Sequence, residues 1–189
     1  LNLTGGLLDA QIGSTMEMRR TTLQAAWFAG QQVGGLEINN PAAVTLTNSL
    51  TVRNTLAMTN SGNFTLGPNT LTINSSASPF FIGAGVGKID ATNAASVILL
   101  QSNPGIDCNY FLTNTLTTLR SGAGCAAYLT NNILVGNLDH QTGTIVLGSS
   151  PACRMTVLAG GTHTIAAPAT LNVASFGQLT ITNTAALTN

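Results

Sequence analysis

Only six carboxylate side chains are available for acid–base chemistry in this 189-residue sequence. The strongest catalytic constellation would combine these groups: Asp90, Asp107, Asp139 and His140, with either Arg120 or Arg154. Glycoside cleavage needs two carboxyl groups flanking one bond, so these residues would have to converge on one surface. The dipeptide Asp139-His140 cannot form a dyad by itself, and isolated Asp residues commonly cap turns. We therefore predict that the protein is not an enzyme and has no catalytic residues.

Metal and phosphate sites are also poorly supported. The sequence has three cysteines, Cys108, Cys125 and Cys153, without a Cys-x-x-Cys pair or a nearby His. Two interpretations stay open: a Cys108–Cys125 disulfide, or small buried apolar residues. His163 lies between two threonines and is expected to be solvent-facing or stacked, with a structural role. The segment Gly83–Gly87 lacks the Lys-Ser/Thr of a phosphate loop, so no metal and no cofactor is expected.

Three aromatic pairs have two readings: Trp27-Phe28, Phe80-Phe81 and Tyr110-Phe111. They could contact a sugar or pack within the core and over the end of the fold. Packing is the favoured interpretation.

Charged residues make up only 6% of the chain, against about 25% in an ordinary soluble domain. The net charge is zero and Arg19-Arg20 is the only basic pair, so no nucleic-acid partner is expected. No apolar run reaches the roughly 18 residues of a membrane span. Thr, Asn, Ser and Gly replace the charges, and they favour short strands and tight turns. The 44% apolar content argues against disorder.

Apolar residues alternate with small or polar ones, which is the period of a strand and not of a helix. The clearest units are Val44–Thr47, Leu50–Val52, Leu56–Thr59, Phe64–Leu66, Leu71–Ile73, Thr156–Leu158, His163–Ile165, Leu171–Val173 and Leu179–Ile181. They begin about six to eight residues apart and are separated by Asn, Ser, Gly and Pro. A sandwich would use longer strands, of about five to six residues. The brevity and regularity instead favour coils with three short faces.

We therefore predict an all-β chain, a right-handed parallel β-helix forming one domain over residues 1–189. Three units make a coil of about 20 to 25 residues, which gives roughly eight coils. Residues 19–32 and 102–127 fit the pattern poorly and are expected to be excursions from the solenoid, the first as a loop or as a short helical turn. A repeated Gly-x-apolar-Asp motif predicts equivalent corners for Asp90 and Asp139.

The run from Gly35 to Ser75 contains Ile-Asn-Asn-Pro, repeated Leu-Thr units and Asn-Thr-Leu-Thr-Ile. It resembles the β-strand-repeat surface proteins of Bacteroidota, many of which are exported by the type IX secretion route. Trp27–Gln32 resembles the aromatic-Gly-Gln segment upstream of such units, and Gly177–Asn189 is a weaker match. The resemblance implies an extracellular or cell-surface adhesin, matrix or filament component. It supplies no catalytic residue.

Both termini read as strands without caps. Leu1-Asn2-Leu3-Thr4 and Ala186-Leu187-Thr188-Asn189 would continue the Leu-Thr pattern if they were joined. We therefore expect head-to-tail self-association through Leu1, Leu3, Leu187 and Thr188, a contact that propagates without closing.

The chain starts without Met and is expected to be a segment of a longer precursor or a filament subunit. Our leading hypothesis is a secreted structural protein: a surface filament, stalk or adhesin segment built by end-to-end stacking. The alternative is a carbohydrate-binding or carbohydrate-cleaving β-helix, so surface glycans are a second expected partner. A passenger-type or phage-fibre solenoid would share the fold.

Overall fold

A computed structural model describes residues 6–60, 62–83, 87–148 and 150–182, together with the backbone of 186–188. The chain is all-β, with 52% strand and 5% helix, and forms a parallel β-solenoid of about seven turns. The predicted fold class is therefore confirmed. No helix in the described ranges is long and apolar enough to cross a membrane.

The strands are short and follow one another around the solenoid. Within the described residues they are β1 (Thr15–Met18), β2 (Thr22–Leu23), β3 (Gln32–Val33), β4 (Gly35–Ile38), β5 (Val44–Leu46), β6 (Leu50–Val52), β7 (Leu56–Met58), β8 (Phe64–Thr65), β9 (Thr70–Ser75), β10 (Phe81–Ile82), β11 (Ile89–Ala91), β12 (Val97–Ser102), β13 (Gly105–Asp107), β14 (Phe111–Ser121), β15 (Ala126–Thr130), β16 (Ile133–His140), β17 (Thr144–Leu147), β18 (Arg154–Val157), β19 (Thr162–Ile165), β20 (Thr170–Val173), β21 (Gln178–Ile181) and β22 (Ala186–Thr188).

The strands lie on three faces, with one strand per face in most turns, and all pairings are parallel. The first face carries β1, β4, β7 and β10, followed by β13, β15, β17 and β20. The second face begins with β2, β5, β8 and β11, and the third with β3, β6, β9 and β12. The long strands β14 and β16 run through the corner between these two faces, so the two faces join into one 14-stranded sheet.

The length of a turn varies because the corners vary. Residues stacked on successive turns are 18 apart at Ala126 and Thr144, and 27 apart at Thr70 and Val97. This range includes the predicted coil length of about 20 to 25 residues. The number of turns, about seven, is close to the predicted eight.

Neither predicted excursion leaves the solenoid. Residues 19–32 contain the 3-10 helices Ala25–Trp27 and Ala29–Gln31, which confirm the expected helical turn. They also hold β2 and the start of β3, which pair with β5 and β6 on the next turn. Residues 102–127 are not a loop, because they hold β13, the 3-10 helix Cys108–Tyr110, and the 11-residue strand β14. Thr113 and Asn114 have φ of 53° and 51°, and this bulge breaks the alternation that the sequence would otherwise show.

Alternation places the apolar side chains inside the solenoid. In β5 the burial runs buried, exposed, buried, and β9 alternates over all six residues. Outward threonines stack in register, with Thr22 beside Thr45 and Thr45 beside Thr65. Such columns place β-branched, uncharged side chains next to one another on the outer surface of the sheet.

Four aromatic rings cluster where two turns meet. Phe81 lies with its ring centroid 4.9 Å from Phe80, 5.1 Å from Tyr110 and 5.6 Å from Phe111. The three phenylalanines are at most 2% exposed. These rings join turns that are stacked on one another, since β10 belongs to one turn and β14 to the next.

The corner between the first and second faces is narrow enough to require glycine. A Cβ on Gly62 would lie 2.0 Å from the carbonyl oxygen of Ala42 on the preceding turn. A Cβ on Gly87, one turn later, would lie 2.3 Å from the carbonyl oxygen of Gly62. Successive backbones therefore touch directly at this corner.

The expected equivalence of Asp90 and Asp139 is wrong. Asp90 lies in β11 on the second face and is stacked on Thr65, whereas Asp139 lies in the third-face part of β16 and is stacked on Arg120. The two motifs enter different faces because corner lengths differ between turns.

Candidate functional site

The three candidate aspartates are dispersed over the three faces. Asp107 is in β13 on the first face, where its Oδ1 accepts hydrogen bonds from Asn109 N–H (2.9 Å) and Asn131 Nδ2 (2.7 Å). Asp90 accepts from the backbone N–H and the hydroxyl of Thr92. These are turn-capping contacts of the kind expected for isolated Asp residues.

Asp139 is the one candidate acid that pairs with a candidate arginine. Arg120 Nε lies 2.6 Å from Asp139 Oδ2, and Gln141 also donates to this carboxylate. Burial raises the pKa of Asp139, but the hydrogen bonds from Gln141 and Arg120 outweigh it, and the pKa lies below its usual value. The other candidate cation, Arg154, is exposed in β18 on the second face. The Asp139–Arg120 pair therefore includes no second carboxylate from the set of candidate catalytic residues.

Substituting Asp139→Asn should lower stability at neutral pH by less than about 1 kcal/mol, because the pair is partly exposed. The folded-state pKa is depressed, so the stabilisation is present above the unfolded value near 3.8 and is lost as pH falls through the folded value. Denaturant unfolding of both proteins at several pH values checks this. Arg120→Gln should lose the same pH-dependent contribution to the free energy of unfolding, because it removes the other member of the pair. A deficit in Asp139→Asn that persists unchanged into strong acid would contradict the assignment.

His140 is buried and belongs to a polar pair inside the solenoid. Its Nε2 is 2.8 Å from the carbonyl oxygen of Thr170, which can only accept, so Nε2 carries the proton. Its Nδ1 therefore accepts from the hydroxyl of Ser121, at 2.7 Å. Ser121 also accepts from the backbone N–H groups of Gln141 and Thr142. The Ser and His side chains are 1% and 0% exposed, so the pair supports the fold and does not meet solvent.

Ser121→Ala should destabilise the protein by about 1–3 kcal/mol, because His140 Nδ1 and two backbone N–H groups lose their partner inside the protein. Urea unfolding measures the loss. Ser76→Ala is the matched control, since Ser76 is exposed and should change stability by less than about 0.5 kcal/mol. Equal losses in the two variants would refute the role of the buried pair.

His163 and the cysteines are also interior groups. His163 is 1% exposed, not solvent-facing: its Nε2 contacts the Leu158 carbonyl oxygen at 3.0 Å, and its Nδ1 accepts from the N–H of Leu138. All three cysteines are free and buried, so the buried-residue interpretation holds and the Cys108–Cys125 disulfide is not formed. Hydrogen bonding to Cys153 and burial raise the pKa of the Cys108 thiol. Among the described residues, no three His, Cys, Asp or Glu side chains gather as a metal site.

The C-terminal turn exposes side chains that are core residues elsewhere. Val173 stacks on Leu147 and Ile181 stacks on Val157, in the same two interior columns. Leu147 and Val157 are 0% exposed, whereas Val173 and Ile181 are 43% and 44% exposed. The interior of the last described turn is therefore open at this end.

Comparison with family models, with curated proteins and with solved structures gives no match. Function must therefore be inferred from the geometry of the solenoid itself.

The predicted contact residues at the C-terminus lie in the last strand of the third face. Leu187 pairs with His163 and Thr188 pairs with Thr164, in register. In the described part of the chain, β20, β21 and β22 each pair with a strand on one side only. The outer edges of these strands are thus the place where a further turn would add.

The N-terminal end differs from the expected bare edge. Leu1 and Leu3 lie outside the described residues. Leu8 forms an isolated parallel bridge with Phe28, and Ser14 accepts a 2.6 Å hydrogen bond from the N–H of Gly35. Residues 8–14 therefore add a partial rung below the first turn, while β1, β2 and β3 each pair on one side only in the described residues.

The aromatic pairs divide between core and surface. Phe28, Phe80, Phe81 and Phe111 are buried, as the packing interpretation expected. Trp27 and Tyr110 are half-buried. Tyr110 donates its hydroxyl to the carbonyl oxygen of Gly83 at 2.8 Å.

Proposed function

We propose that this protein is a structural segment of an extracellular surface filament, stalk or adhesin, extended by end-to-end stacking of β-helical turns. The observation that carries the proposal is the open interior of the last turn, where Val173 and Ile181 are more than 40% exposed in columns that are otherwise fully buried. Covering such side chains contributes about 25 cal/mol per Å² of apolar surface. A non-catalytic role also fits the dispersal of the three candidate aspartates.

The surface that best fits this end is another turn of the same kind. Parallel strands on three faces need a partner whose strands run in the same direction with the same spacing. Strands β1 and β2 of a second copy offer this arrangement, since each pairs on one side only among the described residues. On the third face the partial rung of residues 8–14 lies at this end in place of β3. A head-to-tail contact leaves the next open end free, so it propagates into a filament.

The low charge supports stacking over many turns. In-register parallel strands place equivalent side chains about 4.8 Å apart, and like charges directly opposite one another are destabilising. Columns of threonine, such as Thr22, Thr45 and Thr65, avoid this repulsion while presenting hydroxyl groups to solvent. A chain with 6% charged residues can therefore continue through many copies without accumulating charge.

The experiment is electron microscopy and light scattering of the purified chain and of a variant carrying Val173→Lys and Ile181→Lys. The wild type should form fibres one solenoid wide, and the variant should remain monomeric because two charges enter the contact. Leu134→Lys is the control: Leu134 is a 37% exposed apolar residue on β16, away from the last turn, and this variant should assemble as the wild type does. A wild-type protein that stays monomeric at high concentration would overturn the proposal, as would equal loss of assembly in the control. Surface labelling of intact producing cells tests the location.

A further inference from the structure

Two of the three buried cysteines contact each other inside the protein. The thiol of Cys108 is hydrogen-bonded to that of Cys153, and this bond raises the pKa of Cys108 and lowers the pKa of Cys153. Both side chains are buried. A thiol that donates to a second thiol holds the two sulfur atoms beside each other, as the formation of a disulfide requires.

The positions of the cysteines around the solenoid explain why these two meet. Cys108 lies between β13 and β14, and Cys153 directly precedes β18, so both lie at the corner between the first and second faces. Cys125 directly precedes β15, at the corner between the third and first faces, and its Sγ lies 3.7 Å from the carbonyl oxygen of Thr144. Cys125 is therefore at the opposite end of the first-face strands from the other two.

Differences in corner length bring the two thiols together across an intervening turn. Cys108 and Cys153 are 45 positions apart in the sequence, which corresponds to two turns. The turn between them crosses this corner with two residues, Asn131 and Asn132. The turns on either side have longer connections, with Cys108–Tyr110 between β13 and β14 and six residues between β17 and β18. The short middle corner allows the longer corners on either side to meet.

We propose that Cys108 and Cys153 form a disulfide when the protein meets a small-molecule disulfide oxidant such as oxidised glutathione, while Cys125 remains a thiol. The thiolate of Cys153 attacks one sulfur of the oxidant, which gives a mixed disulfide and releases one glutathione thiolate. The thiolate of Cys108 then attacks the Cys153 sulfur and displaces the second glutathione. Two protein thiols thus lose two electrons and two protons, and the two glutathione thiols gain them.

The oxidant reaches Cys153 through the corner that covers it. Pro151, Ala152 and Arg154 are exposed, so the residues around Cys153 lie at the surface although its own side chain is buried. Exposed segments of this kind open locally at a lower cost in free energy than core strands do. The hydrogen bond from Cys108 also favours the thiolate form of Cys153, which is the form that attacks a disulfide.

The disulfide would clamp the turn that lies between the two cysteines. It joins turns that are not neighbours and closes a loop of 45 positions, longer than the loop closed by any pair of adjacent turns. Such a loop restricts the unfolded chain, so the oxidised protein should melt about 5–15 °C above the reduced one. The pairing rests on the contact between the thiols and not on the proposed extracellular location, although extracellular proteins do meet oxidising conditions.

The test is refolding of the full chain from guanidinium, once with oxidised glutathione and once with dithiothreitol. Free thiols are then alkylated under denaturing conditions, and the digested protein is mapped by mass spectrometry. Trypsin cleaves after Arg120 and separates Cys108 from the other two cysteines, and chymotrypsin cleaves after Tyr128, which lies between those two. We expect one disulfide-linked pair of peptides that joins Cys108 to Cys153, with Cys125 alkylated.

Variants identify the cysteines that cause the shift in melting temperature. Cys125→Ala is the matched control, because it removes a buried thiol and leaves the proposed pair in place. It should give the same disulfide and the same difference in melting temperature between oxidised and reduced protein as the wild type does. Cys108→Ala and Cys153→Ala should each melt at the same temperature under both conditions.

Three results would overturn the proposal. These are alkylation of all three cysteines in the oxidised wild type, a disulfide that includes Cys125, and an oxidised protein that melts no higher than the reduced one. Repeating the mapping on the Val173→Lys, Ile181→Lys variant separates the disulfide from assembly, because loss of stacking should leave the linked peptides unchanged.

Discussion

Phe81→Ala should destabilise the protein by about 3–5 kcal/mol, the largest loss that we expect from a single core substitution. The ring of Phe81 is 2% exposed and lies within 5.6 Å of the rings of Phe80, Tyr110 and Phe111. Removing it opens a cavity between stacked turns and loses three aromatic contacts, which contribute about 0.5–1.5 kcal/mol per pair. Guanidinium unfolding followed by circular dichroism measures the change.

The neighbouring residue provides the control. Ile82 lies in the same strand, β10, but its side chain points outward and is 40% exposed. Ile82→Ala should therefore cost less than about 1 kcal/mol, because little buried apolar surface is lost. Similar losses in the two variants would show that the aromatic cluster does not bridge the turns as the structure indicates.

Gly62→Ala should cost about 3 kcal/mol, at the upper end of the usual range for overpacked positions. The added methyl group would lie 2.0 Å from the carbonyl oxygen of Ala42 and 2.4 Å from that of Asn40. Both are backbone atoms of the preceding turn and cannot rotate away. Separating the turns would also stretch the hydrogen bond from Gly62 N–H to the Asn40 carbonyl oxygen, now 3.1 Å.

Gly13→Ala tests the same substitution where there is space. No atom lies within 4 Å of a Cβ built on Gly13, and its φ lies outside the left-handed region. This variant should be as stable as the wild type or more stable by about 0.4–1 kcal/mol, because alanine restricts the unfolded chain. Thermal unfolding of both variants decides the point. A Gly62→Ala protein as stable as Gly13→Ala would mean that the corner is wider than described.

The solenoid could be predicted from sequence wherever alternation was uninterrupted. Val44–Leu46 and Thr70–Ser75 alternate strictly, and both form strands with the expected faces buried. The prediction was wrong for residues 102–127 because the bulge at Thr113 and Asn114 and the corner near Thr117 shift the pattern within one continuous strand. Periodicity identifies straight strands and misses strands that bend around a corner.

Contacts between turns were beyond prediction because they depend on corner length. Ser121 and His140 meet across 19 residues, whereas Leu138 and His163 meet across 25. A sequence with such variable turns does not reveal which polar residues will share a rung. Likewise, the partial rung at the N-terminus depends on the Leu8–Phe28 bridge, which joins residues 20 positions apart.

The stacking of turns also has a consequence for folding kinetics. Stacked partners are separated by 18 to 27 residues wherever they lie in the chain, so closing each new contact requires a loop of no more than one turn. Folding rates fall as the separation of contacting residues grows, and here that separation would not increase if further turns were added. Folding can therefore begin at any well-packed pair of turns, with the Phe81 region the best placed, and spread in both directions one turn at a time.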